Sequence, residues 1–167
     1  LNPDIRAKVG DDRNEQELLY STDGGESWTY IRNKPNENID LYSGYVALTA
    51  DGSKLLWSPE SLGNTYVTDD YGETWHRCKG VDYGLYVIAD PVDPEVVYAF
   101  DNSGFYVSRD GGFTFNCTSE LIKARTRICV LPGVAGTVYV PANGSGLFVS
   151  VDFGTTFEKL DVFKCDA

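Results

Sequence analysis

The chain has few of the residues from which metal and redox sites are built. One of its 167 residues is a histidine and four are cysteines, and no two cysteines form a Cys-x-x-Cys pair. A structural zinc site is therefore disfavoured, and we expect no metal and no cofactor. The four cysteines, at 78, 117, 129 and 165, allow three disulfide pairings, and the sequence does not choose among them.

Basic residues are scarce, and long apolar runs are absent. The chain carries 14 Lys and Arg against 25 Asp and Glu, for a formal net charge of −11. A surface of that charge repels phosphate backbones and anionic lipids, so we expect neither nucleic acid nor a membrane as partner. No apolar run approaches the ~20 residues of a transmembrane helix. We expect a soluble, extracellular protein with a neutral ligand, and Leu1 in place of Met suggests a fragment or a processed chain.

A fourfold repeat is the strongest signal in the sequence. The pattern Ser/Thr-x-Asp-x-Gly-x-Ser/Thr-aromatic, an Asp box, occurs at 21–28, 68–75, 108–115 and 150–157, with its aspartates 47, 40 and 42 residues apart. Repeats of roughly 40–50 residues are typical of propeller blades. We assign structural roles to the third, fifth and eighth residue of each box. These residues are Asp23, Gly25, Trp28, Asp70, Gly72, Trp75, Asp110, Gly112, Phe115, Asp152, Gly154 and Phe157.

Each box has the composition of a β-hairpin turn. Glycine tolerates the positive φ that such turns need, and the Asp carboxylate can accept hydrogen bonds from turn N–H groups. We therefore expect each box to join two strands and its aromatic residue to enter the interface between blades. The joined strands are predicted at 18–21 and 27–31, 65–68 and 74–77, 105–108 and 113–117, and 147–150 and 156–160.

Two further strand-like runs lie between successive boxes. They are predicted at 45–49 and 54–57, at 86–89 and 96–100, and at 125–130 and 137–140. Four strands per repeat is the blade of a β-propeller. The first repeat is shorter, with one strand at 5–9 before its box. We predict an all-β propeller segment of three and a half to four blades, approximately 1–43, 44–84, 85–124 and 125–167; the competing folds are a β-sandwich and a β-solenoid.

Asp boxes alone indicate an architecture, but the segments between them are more specific. Residues 45–59 look like the A-x-S-A-D-G-x-x-x-x-W-S-P segment of glycoside hydrolase family 74. Residues 89–100 and 105–115 resemble the next blade of that family, and 132–136, 146–147 and 156–160 resemble the blade after it. Asn2-Pro3 and residues 8–10 are similar to the lead-in of this region. The resemblance covers nearly the whole chain in the right order.

This resemblance implies a parent with two seven-bladed propellers that enclose a cleft for xyloglucan. It also implies hydrolysis of the β-1,4-glucan backbone with inversion, with one catalytic Asp from each propeller. The chain looks like the middle of the second propeller, and the Gly-Asp-x-x-Gly-type loop that carries the family's catalytic Asp is not found in it. The resemblance therefore implies an enzyme as parent and no activity in this chain alone.

None of the acidic residues has the pattern of a catalytic carboxylate. A catalytic pair is unique, whereas the box aspartates recur in every repeat, so we predict no catalytic residue. Asp11-Asp12 and Asp90 to Asp93 are interpreted as solvated loops. His76 lies two residues before Cys78, a spacing that shares a strand face, and we interpret the pair as ordinary strand residues.

Neutral sugars are held by aromatic faces and hydrogen-bonding side chains in propeller loops. We therefore predict substrate-binding residues in the loops that link second to third strands and one blade to the next; they are Trp57, Tyr42, Tyr45, Tyr83, Tyr86, Asn102 and Asn143. The expected partners are xyloglucan or a related neutral β-glucan, and the remainder of the parent or a second copy of the chain. The alternative function is a protein-binding propeller of sortilin-like or adhesin type. A sialidase is a weaker alternative.

Overall fold

The computed structural model describes residues 4–12, 15–35, 44–60, 63–123, 127–142 and 144–160. These residues contain no helix, and their strands form one three-stranded and three four-stranded antiparallel sheets. Blade 1 consists of β1 (Arg6–Asp12), β2 (Glu15–Ser21) and β3 (Thr29–Tyr30). Blade 2 consists of β4 (Tyr45–Leu48), β5 (Leu55–Ser58), β6 (Tyr66–Thr68) and β7 (His76–Arg77). Blade 3 consists of β8 (Tyr86–Ala89), β9 (Val97–Phe100), β10 (Phe105–Ser108) and β11 (Phe115–Ser119), and blade 4 of β12 (Cys129–Val130), β13 (Val138–Ala142), β14 (Gly146–Ser150) and β15 (Glu158–Leu160).

Each sheet is a simple meander, in which every strand pairs with the next one along the chain. The first strands of blades 2 and 3, β4 and β8, contact each other, and β1 contacts β4. These strands therefore form the inner edge of the arc, and the hairpins that carry the boxes lie toward its outer edge. The architecture confirms the predicted all-β propeller segment and excludes a sandwich or a solenoid. The strands of each sheet lie inside one of the four residue ranges given above.

The second strand of a blade is buried on both faces. All four residues of β5 are buried, and so are all four residues of β9. Because successive side chains of a strand point to opposite faces, Leu56 packs against blade 3 whereas Leu55 and Trp57 pack against blade 1. This arrangement explains why these strands are apolar without alternation.

Three apolar clusters, one in each interface between neighbouring blades, form the core. The cluster between blades 1 and 2 is centred on Leu18 and Trp57, and the cluster between blades 2 and 3 on Leu56 and Val97. The cluster between blades 3 and 4 contains Tyr98, Phe100, Phe105, Val138 and Val140. Burial at each interface removes apolar surface that an isolated sheet would leave in water.

No helix of the described residues is long and apolar enough to cross a membrane.

Two local expectations were wrong. The strands after all four boxes begin two residues later than predicted, at Thr29, His76, Phe115 and Glu158, because the residues before them still belong to the turn. Asp11 and Asp12 lie in β1 and not in a loop.

Candidate functional site

The four boxes share one hydrogen-bond network. In the second box, the Thr68 hydroxyl donates to Asp70 Oδ1 at 2.7 Å and accepts from the N–H of Gly72 at 2.8 Å. The N–H and the hydroxyl of Thr74 donate to the two oxygens of Asp70, at 2.9 and 2.6 Å. The boxes of blades 1 and 4 repeat all four contacts, and that of blade 3 repeats the first three. The aspartates thus close the turns.

These hydrogen bonds favour the ionised carboxylates. The hydrogen bond from the Thr74 hydroxyl, and to a smaller extent that from the Thr74 N–H, lowers the pKa of Asp70 to about 2. The hydroxyl and the N–H of Thr156 lower the pKa of Asp152 to about 2 in the same way. The pKa of Asp23 is lowered further for the same reason. Burial raises the pKa of Asp110, but the hydrogen bonds from Thr114 and Ser108 outweigh it, and the net shift is downward. A carboxylate with a low pKa is a poor general acid, so the boxes do not supply one.

We expect the chain to lose stability when the pH falls from about 4 to about 2. An unfolded Asp titrates near ~3.9, whereas Asp70 and Asp152 titrate near 2 in the folded chain. Their contribution is fully present above the unfolded pKa and is lost as the pH falls through the folded pKa. Melting temperatures from circular dichroism across this range measure the effect, and Asp152→Asn should make the slope shallower. Equal melting temperatures at pH ~4 and pH ~2 would contradict this predicted loss of stability.

The box glycines also bring neighbouring blades together. A Cβ added to Gly72 would lie 2.3 Å from Ile31 of blade 1, and one added to Gly112 would lie 2.4 Å from Leu56 of blade 2. A Cβ on Gly154 would lie 2.6 Å from Phe105 of blade 3. All three glycines have positive φ. They therefore serve both the turn and a close approach to the preceding blade, and only the first role was predicted.

Three of the four box aromatics enter the interfaces between blades, as predicted. Trp75 packs against the cluster between blades 1 and 2, Phe115 lies in the next cluster, and Phe157 packs against the third. Phe157 meets Phe105 edge to face, with 5.0 Å between ring centroids. Trp28 of the first blade is half-buried, and Lys8 Nζ lies 4.3 Å from its ring centroid.

A buried carboxylate joins blades 3 and 4. Asp90 is fully buried, so its interpretation as a solvated loop residue was wrong. Its Oδ1 accepts from the N–H groups of Val92 and Asp93, both at 2.9 Å. Its Oδ2 accepts from the Tyr98 hydroxyl at 2.9 Å and from the N–H of Gly136, in blade 4, at 2.8 Å. Four donors compensate for the burial of the charge.

The blade 2–3 groove is a cleft with a volume of about 560 Å³. It lies between the connector 78–85, which joins the two blades, and the loop 101–104 between β9 and β10. These are the two loop types in which we predicted sugar contacts. Its lining includes Arg77, Lys79, Asp82, Tyr83, Asp101 and Tyr106.

Hydrogen bonds hold the connector in place on both sides of Tyr83. The carbonyl of Asp82 accepts from the N–H of Thr65 at 2.9 Å, and Gly84 donates to the carbonyl of Pro59 at 2.8 Å. The N–H of Leu85 donates to Ser58 Oγ at 3.1 Å. Tyr83 is nevertheless 50% exposed. A fixed backbone thus presents an exposed aromatic ring.

The opposite wall of the groove is polar. Asp101 Oδ1 accepts from the N–H groups of Ser103 and Gly104, at 2.7 and 3.1 Å, and so shapes the loop in which Asn102 is exposed. Burial and then the Asp101 charge raise the pKa of Tyr106, so its hydroxyl stays protonated and can donate. The groove offers hydrogen-bond donors and acceptors beside one aromatic face.

Two other predicted sugar-binding tyrosines meet at the inner edge of the arc. The rings of Tyr45 and Tyr86 lie 4.2 Å apart, and Tyr86 stacks on Phe100 at 5.2 Å. The hydrogen bond with Tyr86, followed by burial, raises the pKa of Tyr45 to about 12. Both tyrosines line a second cleft of about 370 Å³ together with Arg127. This cleft is separate from the blade 2–3 groove.

Trp57, which was also predicted to bind sugar, lines neither cleft. It is completely buried, with its ring 6.3 Å from that of Tyr66 and 6.2 Å from that of Trp75. A ring without exposed surface cannot stack on a sugar, so its prediction as a sugar platform was wrong. Tyr42 and Asn143 lie outside the described residues.

The His76–Cys78 pair has no nucleophilic character. Burial raises the pKa of Cys78 to about 12, and His76 is exposed with its ring 5.5 Å from that of Phe113. Cys117 and Cys129 are exposed free thiols, and Cys165 lies outside the described residues. The described residues contain no group of His, Cys, Asp and Glu that could hold a metal ion.

Comparison with protein families agrees with the repeat. The BNR/Asp-box repeat model matches residues 19–30 and 66–77, which span the first two boxes. The xyloglucanase of Acetivibrio thermocellus is 37% identical over 134 residues, which cover 79% of this chain and 16% of the enzyme. A xyloglucanase of Paenibacillus is 31% identical over 173 residues, which cover 96% of this chain and 17% of that protein.

Solved structures of family 74 enzymes share the fold of this chain. The family 74 xyloglucanase from Xanthomonas campestris matches with a TM-score of 0.77 and 32% identity, over 93% of this chain and 23% of that structure. The chain thus spans about a fifth or less of the curated relatives it matches. By sequence and by fold, the chain is an Asp-box β-propeller segment of the glycoside hydrolase family 74 lineage.

Proposed function

We propose that the chain is a non-catalytic part of a secreted xyloglucan hydrolase and that the blade 2–3 groove holds a stretch of neutral β-glucan. The observation that carries this proposal is the exposed ring of Tyr83, which a hydrogen-bonded connector presents beside the polar loop of Asp101. A flat aromatic face with flanking polar groups suits a neutral polyhydroxylated chain. The xyloglucanase names of the relatives support the choice of ligand.

The catalytic pair is assigned to the rest of the parent. Each box aspartate closes its own turn and has a lowered pKa. An inverting glycosidase needs two carboxyl groups ~6.5–9.5 Å apart, one of them with a raised pKa. The chain would then belong to the second of two propellers and act in the extracellular space.

The outward face of blade 4 supports a further contact with the parent or with a second copy of the chain. The register of β12 to β15 places Tyr139, Leu147 and Val149 on the face that points away from blade 3. These side chains are partly exposed, whereas the corresponding residues Tyr98 and Val107 of blade 3 are buried by blade 4. An apolar sheet face of this kind is suited to another blade.

We expect Tyr83→Ala to weaken binding to xyloglucan by about tenfold, the factor that corresponds to the loss of roughly 1.4 kcal/mol. The ring is exposed, so its removal should leave the fold intact. Affinity electrophoresis in gels that contain xyloglucan measures the effect, and a reducing-sugar assay of the same protein should show no hydrolysis. Val92→Ala, which shortens another exposed side chain (45% exposed), is the matched control.

Three results would overturn the proposal. Unchanged retention of the Tyr83→Ala variant would remove the groove as the glucan site. Hydrolysis by the chain alone would mean that its own carboxylates perform the chemistry. If the chain is retained on an immobilised protein but not on xyloglucan, the alternative function of a protein-binding propeller is favoured instead.

A further inference from the structure

A third cleft, also lined by aromatic residues, lies at the outer edge of the arc, where β3 of blade 1 meets the box of blade 2. This rim cleft has a volume of about 260 Å³ and is lined by Tyr20, Tyr30, Arg32, Asn33, Tyr71 and Glu73. The rings of Tyr20 and Tyr71 stack with 4.8 Å between centroids and 19° between planes. Both rings are only partly buried.

Tyr71 has a backbone conformation that is unfavourable for a tyrosine, although the turn does not need a side chain at this position. Its φ is +56°, in the left-handed region that favours glycine. The fourth box position holds Gly24 in blade 1 and Gly111 in blade 3, so the turn forms without a side chain there. A side chain in this conformation costs of order 1 kcal/mol. Stacking on Tyr20 offsets part of that cost and leaves a face of the pair at the cleft.

Polar groups surround the stacked rings in a fixed arrangement. The Asn33 amide donates to the carbonyl and to Oε2 of Glu73, at 3.2 and 3.3 Å, and the Trp75 Nε1–H donates to the carbonyl of Asn33 at 2.8 Å. The Arg32 guanidinium lies 5.8 Å from the Tyr30 ring centroid. Blade 1 and blade 2 thus share one hydrogen-bonded wall, and Arg32, Asn33 and Glu73 are all exposed.

We propose that the rim cleft is a second binding site for a neutral saccharide, separate from the blade 2–3 groove; the choice of a β-glucan as its ligand rests on the proposed function. The Glu73 carboxylate disfavours an anionic ligand, and Arg32 disfavours a cationic one. Stacked aromatic faces with an amide, a carboxylate and a guanidinium at their edge suit the apolar face and the hydroxyl groups of a sugar ring. A cleft of this volume is smaller than the ~300–1,000 Å³ of most ligand pockets, so it fits a short stretch of polymer.

The two sites lie at opposite ends of the outer hairpin of blade 2. Tyr71 lies in the turn between β6 and β7, whereas the connector with Tyr83 begins where β7 ends. Antiparallel strands place those two points at opposite ends of the sheet. Two sites on one rigid segment raise the effective concentration of a polymer at each of them.

Tyr71→Gly tests the proposal without disturbing the turn, because glycine occupies this position in two of the boxes and relieves the positive φ. The matched control is Phe153→Gly, at the equivalent position of the fourth box, where φ is +61° and the ring lies 4.5 Å from the Arg109 guanidinium. Both variants, and each combined with Tyr83→Ala, are compared on xyloglucan affinity gels and by titration with cellotetraose.

We expect Tyr71→Gly to reduce retention several-fold, Phe153→Gly to leave it unchanged, and Tyr71→Gly with Tyr83→Ala to bind less than either single variant. Retention of Tyr71→Gly equal to that of the unchanged chain would refute the rim cleft while the proposed function stands. If Tyr71→Gly alone abolishes binding and Tyr83→Ala has no effect, the rim cleft stands and the groove falls. Equal losses in Tyr71→Gly and Phe153→Gly would show a general effect on the turns and would also refute the proposal.

Discussion

Replacing Gly112 with alanine is expected to lower the free energy of unfolding by about 3 kcal/mol. Two effects combine at this position. The backbone has φ +103°, which an L side chain adopts only under strain. The new methyl group would also lie 2.4 Å from Leu56 Cδ2 of blade 2. The Leu56 side chain is fully buried, so it has little room to move away. Equilibrium unfolding in urea, followed by tryptophan fluorescence, measures the loss.

Gly133→Ala separates the two effects. Gly133 has φ +76°, but an added Cβ would meet nothing within 4 Å. We expect it to cost about 1 kcal/mol, which is the conformational part alone. If the two variants are equally stable, the close approach of the box to the preceding blade contributes nothing, and the second role of the box glycines is refuted.

Replacing Asp90 with alanine is expected to cost about 4 kcal/mol of stability. The substitution leaves four donors without their acceptor, among them the buried Tyr98 hydroxyl and the N–H of Gly136. It also removes a hydrogen-bonded link between blades 3 and 4. The same urea unfolding experiment applies, and melting temperatures provide a second measure.

Asp93→Ala is the matched control, because this carboxylate lies in the same loop, is half-exposed and accepts from the N–H of Glu95 at 3.0 Å. It should cost about 1 kcal/mol or less. Tyr98→Phe removes one of the four donors and should lessen the effect of Asp90→Ala when the two are combined, since the residues share one network. Similar losses for Asp90→Ala and Asp93→Ala would argue against the inter-blade link.

The blade architecture could be predicted from the sequence because its signals are local. The Asp-box turn is contained within eight residues, and the runs that became β8 and β10 are bounded by turn residues on both sides, so their limits at 86–89 and 105–108 match the prediction. The strands after all four boxes were predicted to begin two residues too early. Thr74 and the aromatic residues that end the boxes have strand propensity, but the N–H groups of Ser27 and Thr74 donate to the box aspartate and hold these residues in the turn.

The roles of individual residues depend on neighbouring blades and were harder to predict. Trp57 sits before a Ser-Pro loop, which suggested exposure, but it lies in a second strand that is covered on both sides. Asp90 lies in a sequence rich in Asp and Pro, which suggested solvent, and its link to Gly136 spans 46 residues. The meeting of Tyr45 with Tyr86 similarly joins two blades. The rim cleft was missed because Tyr20 and Tyr71 lie 51 positions apart in the sequence.

The repeated seating of a box glycine against the preceding blade has a consequence for how such proteins evolve. Each of the three interfaces between neighbouring blades is built in the same way, with a glycine, which has no Cβ, on one side and an apolar residue on the other. When stability is a sum of units and nearest-neighbour contacts, a unit can be duplicated or lost without redesign of distant ones. We therefore expect genes for this fold to lengthen or shorten by whole blades. The loops can then diverge in sequence while the interfaces between blades stay unchanged.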